Sequence, residues 1–305
     1  MRVTLLGPQR YPTVGAVVAA EHAGGQIATL TAGWQERETA DTELSGLLGG
    51  RDVNLLLYRR WLDVQERDAQ FGAGRRQVQG VLDELQDIYL LRLDHALQAV
   101  YAVQRRSGSD RLRGEAITAA ISAVRDLDAE HLRRAGAVRE EFYQAWEPHS
   151  RPVIAGHRAE IDAILARAGT LVITGGHVGV LADTLHLFNV AASLRSPVVA
   201  WSAGAMALTS RIVLFNDRAP QGPGHPEVLG AGLSLLPGTV LLPHAGARLL
   251  LNNGPRMAVL ARRFEPATCV LLEAGTRVDT STDGTLGRPV RVLAPDGRVN
   301  TLEAA

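Results

Sequence analysis

The stretch VVAWSAGAMALTS (198–210) puts a hydroxyl, Ser202, where an apolar run ends and helical spacing begins. Ala200-Trp-Ser-Ala-Gly204 follows the pattern G-x-S-x-G with alanine in first place. Small residues around such a serine let a strand turn sharply into a helix and expose the oxygen. The free amides of the new helix then favour negative charge developing beside that oxygen. The N–H of Ala203 is one candidate oxyanion donor. Gly175-Gly176, closing another apolar run, offers a second, because glycine permits close backbone approach. A plainer reading needs no chemistry: Ser202 caps the helix.

A nucleophilic serine needs a base, and His244 is the best placed of the nine histidines, at the end of the apolar run TVLLPH (239–244). His22, His95, His131, His149 and His157 fall on helix-like segments or their flanks and read as surface or packing residues. His177 directly follows the glycine pair and is read as lining a substrate pocket, and His225 sits in the Pro/Gly-rich loop QGPGHPE. The base must be oriented by a carboxylate. Asp217, beyond the helix that Ser202 opens, and Glu273, at the end of the run TCVLLEAG (268–275), both qualify. Arg248, Arg256 and Arg277 are candidates for holding a substrate carboxylate, each set against the simpler role of a surface charge.

These residues must be held by a scaffold, and its rhythm is α/β. VTLL (3–6), IATLTAG (27–33), VNLLLY (53–58), LVITGG (171–176), SPVVAW (196–201), TVLLPH and TCVLLEAG read as strands, with helices expected over 13–25, 157–169 and 178–193. Short apolar strands with helices between them predict a doubly wound, mostly parallel sheet, whose chemistry gathers at the carboxyl ends of the strands. Residues 60–150 break the rhythm: apolar positions from Val81 to Val103 and from Ile117 to Phe142 keep helical spacing on either side of the turn SGSD (107–110). They predict a long helical hairpin inserted in a single 1–305 domain. Its apolar seam zips the two helices together, or serves as a subunit interface or a lid. RPVRVLAPDGRVNTL (288–302) predicts a C-terminal β-hairpin turning at APDG.

Composition narrows the function. The 305 residues are 46% hydrophobic and 21% charged with zero formal net charge, so neither nucleic acid nor an anionic membrane is an expected partner. All the fixed positive charge is arginine, which is read as coding bias rather than function. The opening MRVTLLGPQRYP is not expected to be a secretion signal, and no run approaches the roughly 20 apolar residues of a membrane span. The lone Cys269 fits a reduced, cytoplasmic setting. No Cys/His spacing suggests a metal, and no cofactor is expected.

WSAGA (201–205), with Asn216-Asp217 fifteen residues past the serine, resembles the elbow of the peptidase E (α-aspartyl dipeptidase) family and of the related cyanophycinases, which share the class I glutamine amidotransferase-like, flavodoxin-like fold. Gly175-Gly176 with Leu181, Pro243-His244, Arg256-Met257 and Glu273-Ala-Gly-Thr276 resemble further family pieces in the expected order. The resemblance covers roughly 150–300 and, more loosely, 1–58. It implies Ser202 as nucleophile and His244 as base. It favours Asp217 as third member, because Asp217 matches the peptidase E pattern in spacing and in its preceding Asn, whereas Glu273 is one residue early against the cyanophycinase pattern and a one-residue step along a strand reverses the side chain. His177, Ala274 and the 60–150 insertion depart from the family pattern.

The expected function is a serine peptidase or amidase that cleaves a small peptide. The alternatives are an inactive relative that binds a ligand or partner, and an esterase. For the esterase fold, the step of 42 positions from Ser202 to His244 leaves little room. A glutaminase of the amidotransferase type is disfavoured because that chemistry uses cysteine at the elbow. A homodimer and a monomer fit the hairpin seam equally well.

Overall fold

The computed structural model describes residues 2–9, 12–21, 25–220, 222, 224–281, 285–287 and 289–303. The end of the first expected helix with His22, positions 221 and 223 of the Pro/Gly-rich loop, and position 288 of the tail lie outside the described residues.

Five apolar runs form parallel strands β1 (Arg2–Leu6), β2 (Gln26–Leu30), β3 (Asp52–Asn54), β4 (Ala168–Ile173) and β5 (Val198–Trp201), side by side in the order β3-β2-β4-β5-β1. The intervening helices are α1 (Val14–Glu21), α2 (Thr42–Leu47), α3 (Leu57–Arg67), the hairpin α4 (Ala69–Arg105) and α5 (Asp110–Trp146), α6 (Pro152–Arg167), α7 (Val178–Leu187) and the short α8 (Val190–Ser193). Both faces of this sheet are covered, which is why its strands read as continuous apolar runs. Leu6, Ile27, Val172, Val199 and Trp201 meet α1 and α2 through Val14, Val17 and Leu44. Their strand neighbours Leu5, Ala28, Leu171, Ile173 and Ala200 share a core with Val64 of α3, Ile161 of α6 and Leu181 of α7. Helices on both faces of a parallel row make this a mixed α/β architecture of the doubly wound kind.

The remaining chain adds α9 (Ala203–Met206), β6 (Ile212–Leu214), β7 (Glu227–Gly230), β8 (Thr239–Pro243), α10 (Ala245–Arg248), α11 (Gly254–Phe264), β9 (Thr268–Leu272), β10 (Arg277–Ser281), β11 (Val290–Leu293) and β12 (Val299–Leu302). The late strands do not extend the first row. β8 and β9 pair in parallel with each other and head a second sheet, β12-β11-β9-β8, while β10 runs antiparallel to β1 and closes the first sheet at six strands. The cause is two-sided burial. Leu241, Val270 and Leu272 belong to the first core, whereas Val240, Leu242, Cys269 and Leu271 belong to a second core that the first sheet does not supply.

That second core is where the helical hairpin goes. Tyr89, Leu93, Leu97 and Val100 of α4 and Ile121, Val124 and Leu127 of α5 share it with Val228 of β7, Met257 and Leu260 of α11, and Leu271 of β9. The seam therefore closes within this chain and also roofs the second sheet. A buried polar knot ties the layers together. Arg263 of α11 donates to both carboxylate oxygens of Asp128 at 2.6 and 2.7 Å and to the Tyr89 hydroxyl at 2.9 Å. The Tyr89 hydroxyl donates to Asp128 at 2.8 Å and accepts from the Val228 amide at 3.1 Å, so the hairpin fixes β7 directly. Burial pushes the Tyr89 hydroxyl pKa well up.

Two expected elements are cut short by a left-handed residue. The strand expected over 53–58 stops at Asn54 because Leu56 adopts a left-handed conformation (φ 51°) and α3 begins at Leu57. The amides of Tyr58 and Arg59 are capped by the carboxylate of Glu38 at 3.0 and 2.8 Å, a partner some twenty positions away in the chain. The helix expected over 178–193 breaks at Asn189, also left-handed (φ 51°). The C-terminal hairpin forms as expected, with Gly297 at φ 85° in its turn. Among the described residues no helix is long and apolar enough to cross a membrane.

Candidate active site

The carboxyl ends of β4, β5, β8 and β9 converge on one place. β5 ends at Trp201, and Ser202 takes φ 49° and ψ −123° before α9 begins. Positive φ is strained for a residue with a Cβ and costs on the order of 1–3 kcal/mol, held only where surroundings enforce it. The Ser202 side chain makes no capping bond to α9. The cap reading of Ser202 thus fails: the hydroxyl is half-buried and lines two neighbouring cavities of about 640 and 690 Å³. The turn is enforced from below by Gly204. A Cβ there would stand 2.4 Å from the Thr174 carbonyl oxygen, so only glycine lets α9 lie on the end of β4. Gly204→Ala is expected to cost about 1–3 kcal/mol by overpacking, read as a lowered urea midpoint at unchanged slope.

The glycine pair lies against the serine. A Cβ on Gly175 would sit 3.0 Å from the Ser202 Cβ and 3.6 Å from its Oγ. Gly176 adopts φ 122° and presses on the Gly33 carbonyl, again leaving no room for a side chain. Among the described residues, neither the Gly176 nor the Ala203 N–H has a backbone or side-chain acceptor. His177 lines the larger cavity, and its Nδ1 accepts from the Val180 amide at 3.2 Å, so it caps α7. Arg248 also lines the larger cavity, with an exposed guanidinium that has no ion pair among the described residues.

His244 follows β8 in a left-handed conformation (φ 58°), with its amide donating to the Leu272 carbonyl at 3.0 Å. His244 lines both cavities alongside Ser202. No hydrogen bond joins the two side chains among the described residues. Burial holds the His244 pKa below the usual imidazole value; the positive charge of Arg248 pushes the same way and the negative charge of Glu273 opposes both.

The two candidate carboxylates occupy different surroundings. Glu273 accepts from the Gly246 amide at 2.6 Å, two residues past His244, and its charge acts on the imidazole. Asp217 is buried away from both cavities: Arg256 donates to one oxygen at 2.6 Å and the Leu250 amide to the other at 3.0 Å. The preference for Asp217 rested on its spacing from Ser202 and its preceding Asn216, and in part on strand alternation at Glu273. β9 ends at Leu272, and Glu273 opens a turn in which its carbonyl accepts from Thr276, so alternation does not set its direction.

Ser202, His244, Gly175, Gly176, Ala203, His177 and Arg248 are thus brought together, with Glu273 held at the Gly246 amide and Asp217 and Arg256 elsewhere. Arg277, also a carboxylate candidate, bonds Asp279 on β10. Sequence reasoning missed Trp34, which lines both cavities from a 3-10 turn after β2, and Leu214 and Leu229 of the β6–β7 pair. The signal for Trp34 was the glycine before it, at the end of the expected strand IATLTAG (27–33). No cluster of metal-ligating side chains occurs among the described residues.

No protein-family model matches the chain, and no curated protein matches it. Among solved structures, the chain is similar to a crystal structure of a peptidase from an acI-B1 actinobacterium. The two share 13% sequence identity at a TM-score of 0.44, over 99% of this chain and 94% of that one, a likeness too distant to carry a functional argument.

Proposed function

We propose that the protein is a serine hydrolase acting on peptide or amide bonds, with Ser202 as nucleophile, His244 as general base and Glu273 as the carboxylate that orients it. The observation that carries this reading is the strained, uncapped Ser202 at the rim of cavities it shares with His244, beside two amides without acceptors among the described residues. Strain of this kind persists only where structure enforces it. The sequence resemblance to peptidase E-like proteins of the glutamine amidotransferase-like fold agrees with the reading.

In the reaction Ser202 Oγ bonds to the substrate carbonyl carbon as the His244 ring takes its proton. The carbonyl electrons move onto oxygen, where the Gly176 and Ala203 amides receive the charge. Collapse expels the amine, which leaves with the proton from His244, and water attacks the acyl-serine by the same steps in reverse. Glu273 stabilises the imidazolium formed in between.

Because the base works neutral, its depressed pKa extends activity toward acid. The acid limb of kcat/KM is expected below the ordinary imidazole value of about 6.5. Arg248→Gln removes a charge that disfavours the imidazolium, so the limb moves to higher pH. Glu273→Gln removes one that favours it, so the limb moves lower. A pH series on a dipeptide substrate checks both signs.

One observation favours a second reading, a ligand-binding relative without turnover: the missing Ser202–His244 hydrogen bond. Catalytic hydrogen bonds often tighten only with substrate bound. Amine release from a dipeptide library separates the readings. Turnover that disappears in Ser202→Ala supports the hydrolase, and library-wide silence from folded wild-type protein supports the binder.

A further inference from the structure

Ser202 and His244 stand where two cavities of different chemistry meet. The smaller one, on the α1–α2 side, carries Gln9, Arg37 and Glu43 among its walls and so presents both signs of charge. The larger has an apolar floor and far wall made by Val178, Met206, Leu214, Leu229 and Pro243. Among the described residues it contains no carboxylate, and its one fixed charge is Arg248. Its far wall is a built feature. Leu229 follows Val228, whose amide is held by the Tyr89 hydroxyl of the helical hairpin, and Leu214 pairs on the adjoining strand.

We propose that the larger cavity is the subsite for the residue released by cleavage, and that it selects a C-terminal residue with an apolar side chain and a free carboxylate. The assignment to the released side rests on the hydrolase reading above. The leaving amine takes its proton from His244, and in a C-terminal residue the carboxylate lies two bonds from that nitrogen. The cation beside His244 is Arg248, one helical turn on along α10, and it acts on the imidazole electrostatically. An arginine with no acid partner among the described residues, next to an apolar floor, suits that carboxylate with the side chain directed at Met206, Leu214 and Leu229. An acidic side chain in the same lobe would lose its hydration with only Arg248 to share.

The test uses Ala-Leu, Ala-Asp and Ala-Leu-amide, with calorimetric binding to full-length Ser202→Ala and amine release by wild type. Ala-Leu is expected to bind about 10-fold or more tighter than Ala-Asp and than the amide. Placing Leu229→Glu in the Ser202→Ala protein should remove the preference for leucine. The milder Leu229→Ala should move it toward a larger side chain, Ala-Phe. Arg248→Gln should erase the difference between acid and amide. Equal binding of Ala-Asp, no measurable binding of any of the three, Leu229 variants that weaken all peptides alike, or an unchanged acid-to-amide ratio in Arg248→Gln would each overturn the assignment. Selective binding without amine release from wild type would instead refute the hydrolase reading and leave an apolar, carboxylate-reading pocket.

Discussion

Ser202→Ala is expected to lower dipeptide turnover by about 10⁴- to 10⁶-fold, with a urea midpoint close to wild type. The large loss follows from removing the atom that bonds to carbon. What remains is the contribution of the Gly176 and Ala203 amides and of binding, which the substitution leaves in place. Stability should hardly move because the hydroxyl makes no capping bond and alanine tolerates the same backbone no worse than serine. His244→Ala should cost about as much, and the double variant little more, since a nucleophile and its base act as one unit. Glu273→Gln should cost about 10³- to 10⁴-fold in kcat with a folded protein. Asp217→Asn gives the contrast: it weakens the hold on Arg256 and on the Leu250 amide, so its main effect should be on the unfolding midpoint rather than on kcat. Steady-state kinetics and urea unfolding on wild type, Glu273→Gln and Asp217→Asn separate the two carboxylates.

The largest stability effect is expected at Asp128. Truncation to alanine leaves the Arg263 guanidinium buried with its charge uncompensated, and breaking such a pair costs about 3–5 kcal/mol. Tyr89→Phe removes the acceptor of the Val228 amide and should cost less, about 1–3 kcal/mol. Replacing Asp128 and Arg263 together by apolar residues of similar size should recover much of the loss, because the penalty lies in the orphaned charge rather than in the missing pair. The urea midpoint at constant slope measures all three. Since the same knot holds β7, Tyr89→Phe should also raise KM for a substrate whose side chain reaches Leu229.

What could be read from sequence follows a physical division. Elements specified by their own residues were legible. The βα rhythm, the SGSD turn between α4 and α5, the APDG turn of the C-terminal hairpin, and the small residues that permit a sharp bend at Ser202 all declare themselves locally. Features decided by distant partners were not. α3 starts at Leu57 because Glu38 reaches its first amides, and nothing near Leu57 announces that. The separation of β8 and β9 into a second sheet depends on the hairpin covering Val240 and Leu271, a tertiary fact. β10 and the β6–β7 pair were overlooked because short strands with mixed polarity give little periodic signal. The surroundings of Asp217 and Glu273 carry the same lesson at the site itself. Spacing counted along a strand misleads where the strand has already ended, and a buried aspartate already held by Arg256 and Leu250 looks, in sequence, like any other.

Mass spectrometry after treatment with a fluorophosphonate tests the reactive hydroxyl most directly, since the reagent needs only an activated serine and no knowledge of the substrate. The expected result is one adduct on the Ser202 peptide, absent in Ser202→Ala, slowed in His244→Ala, and forming faster as pH rises through a value below about 6.5. A folded wild-type protein that stays unlabelled at Ser202, or reacts there at the same rate without His244, would contradict the assignment of that serine as a nucleophile.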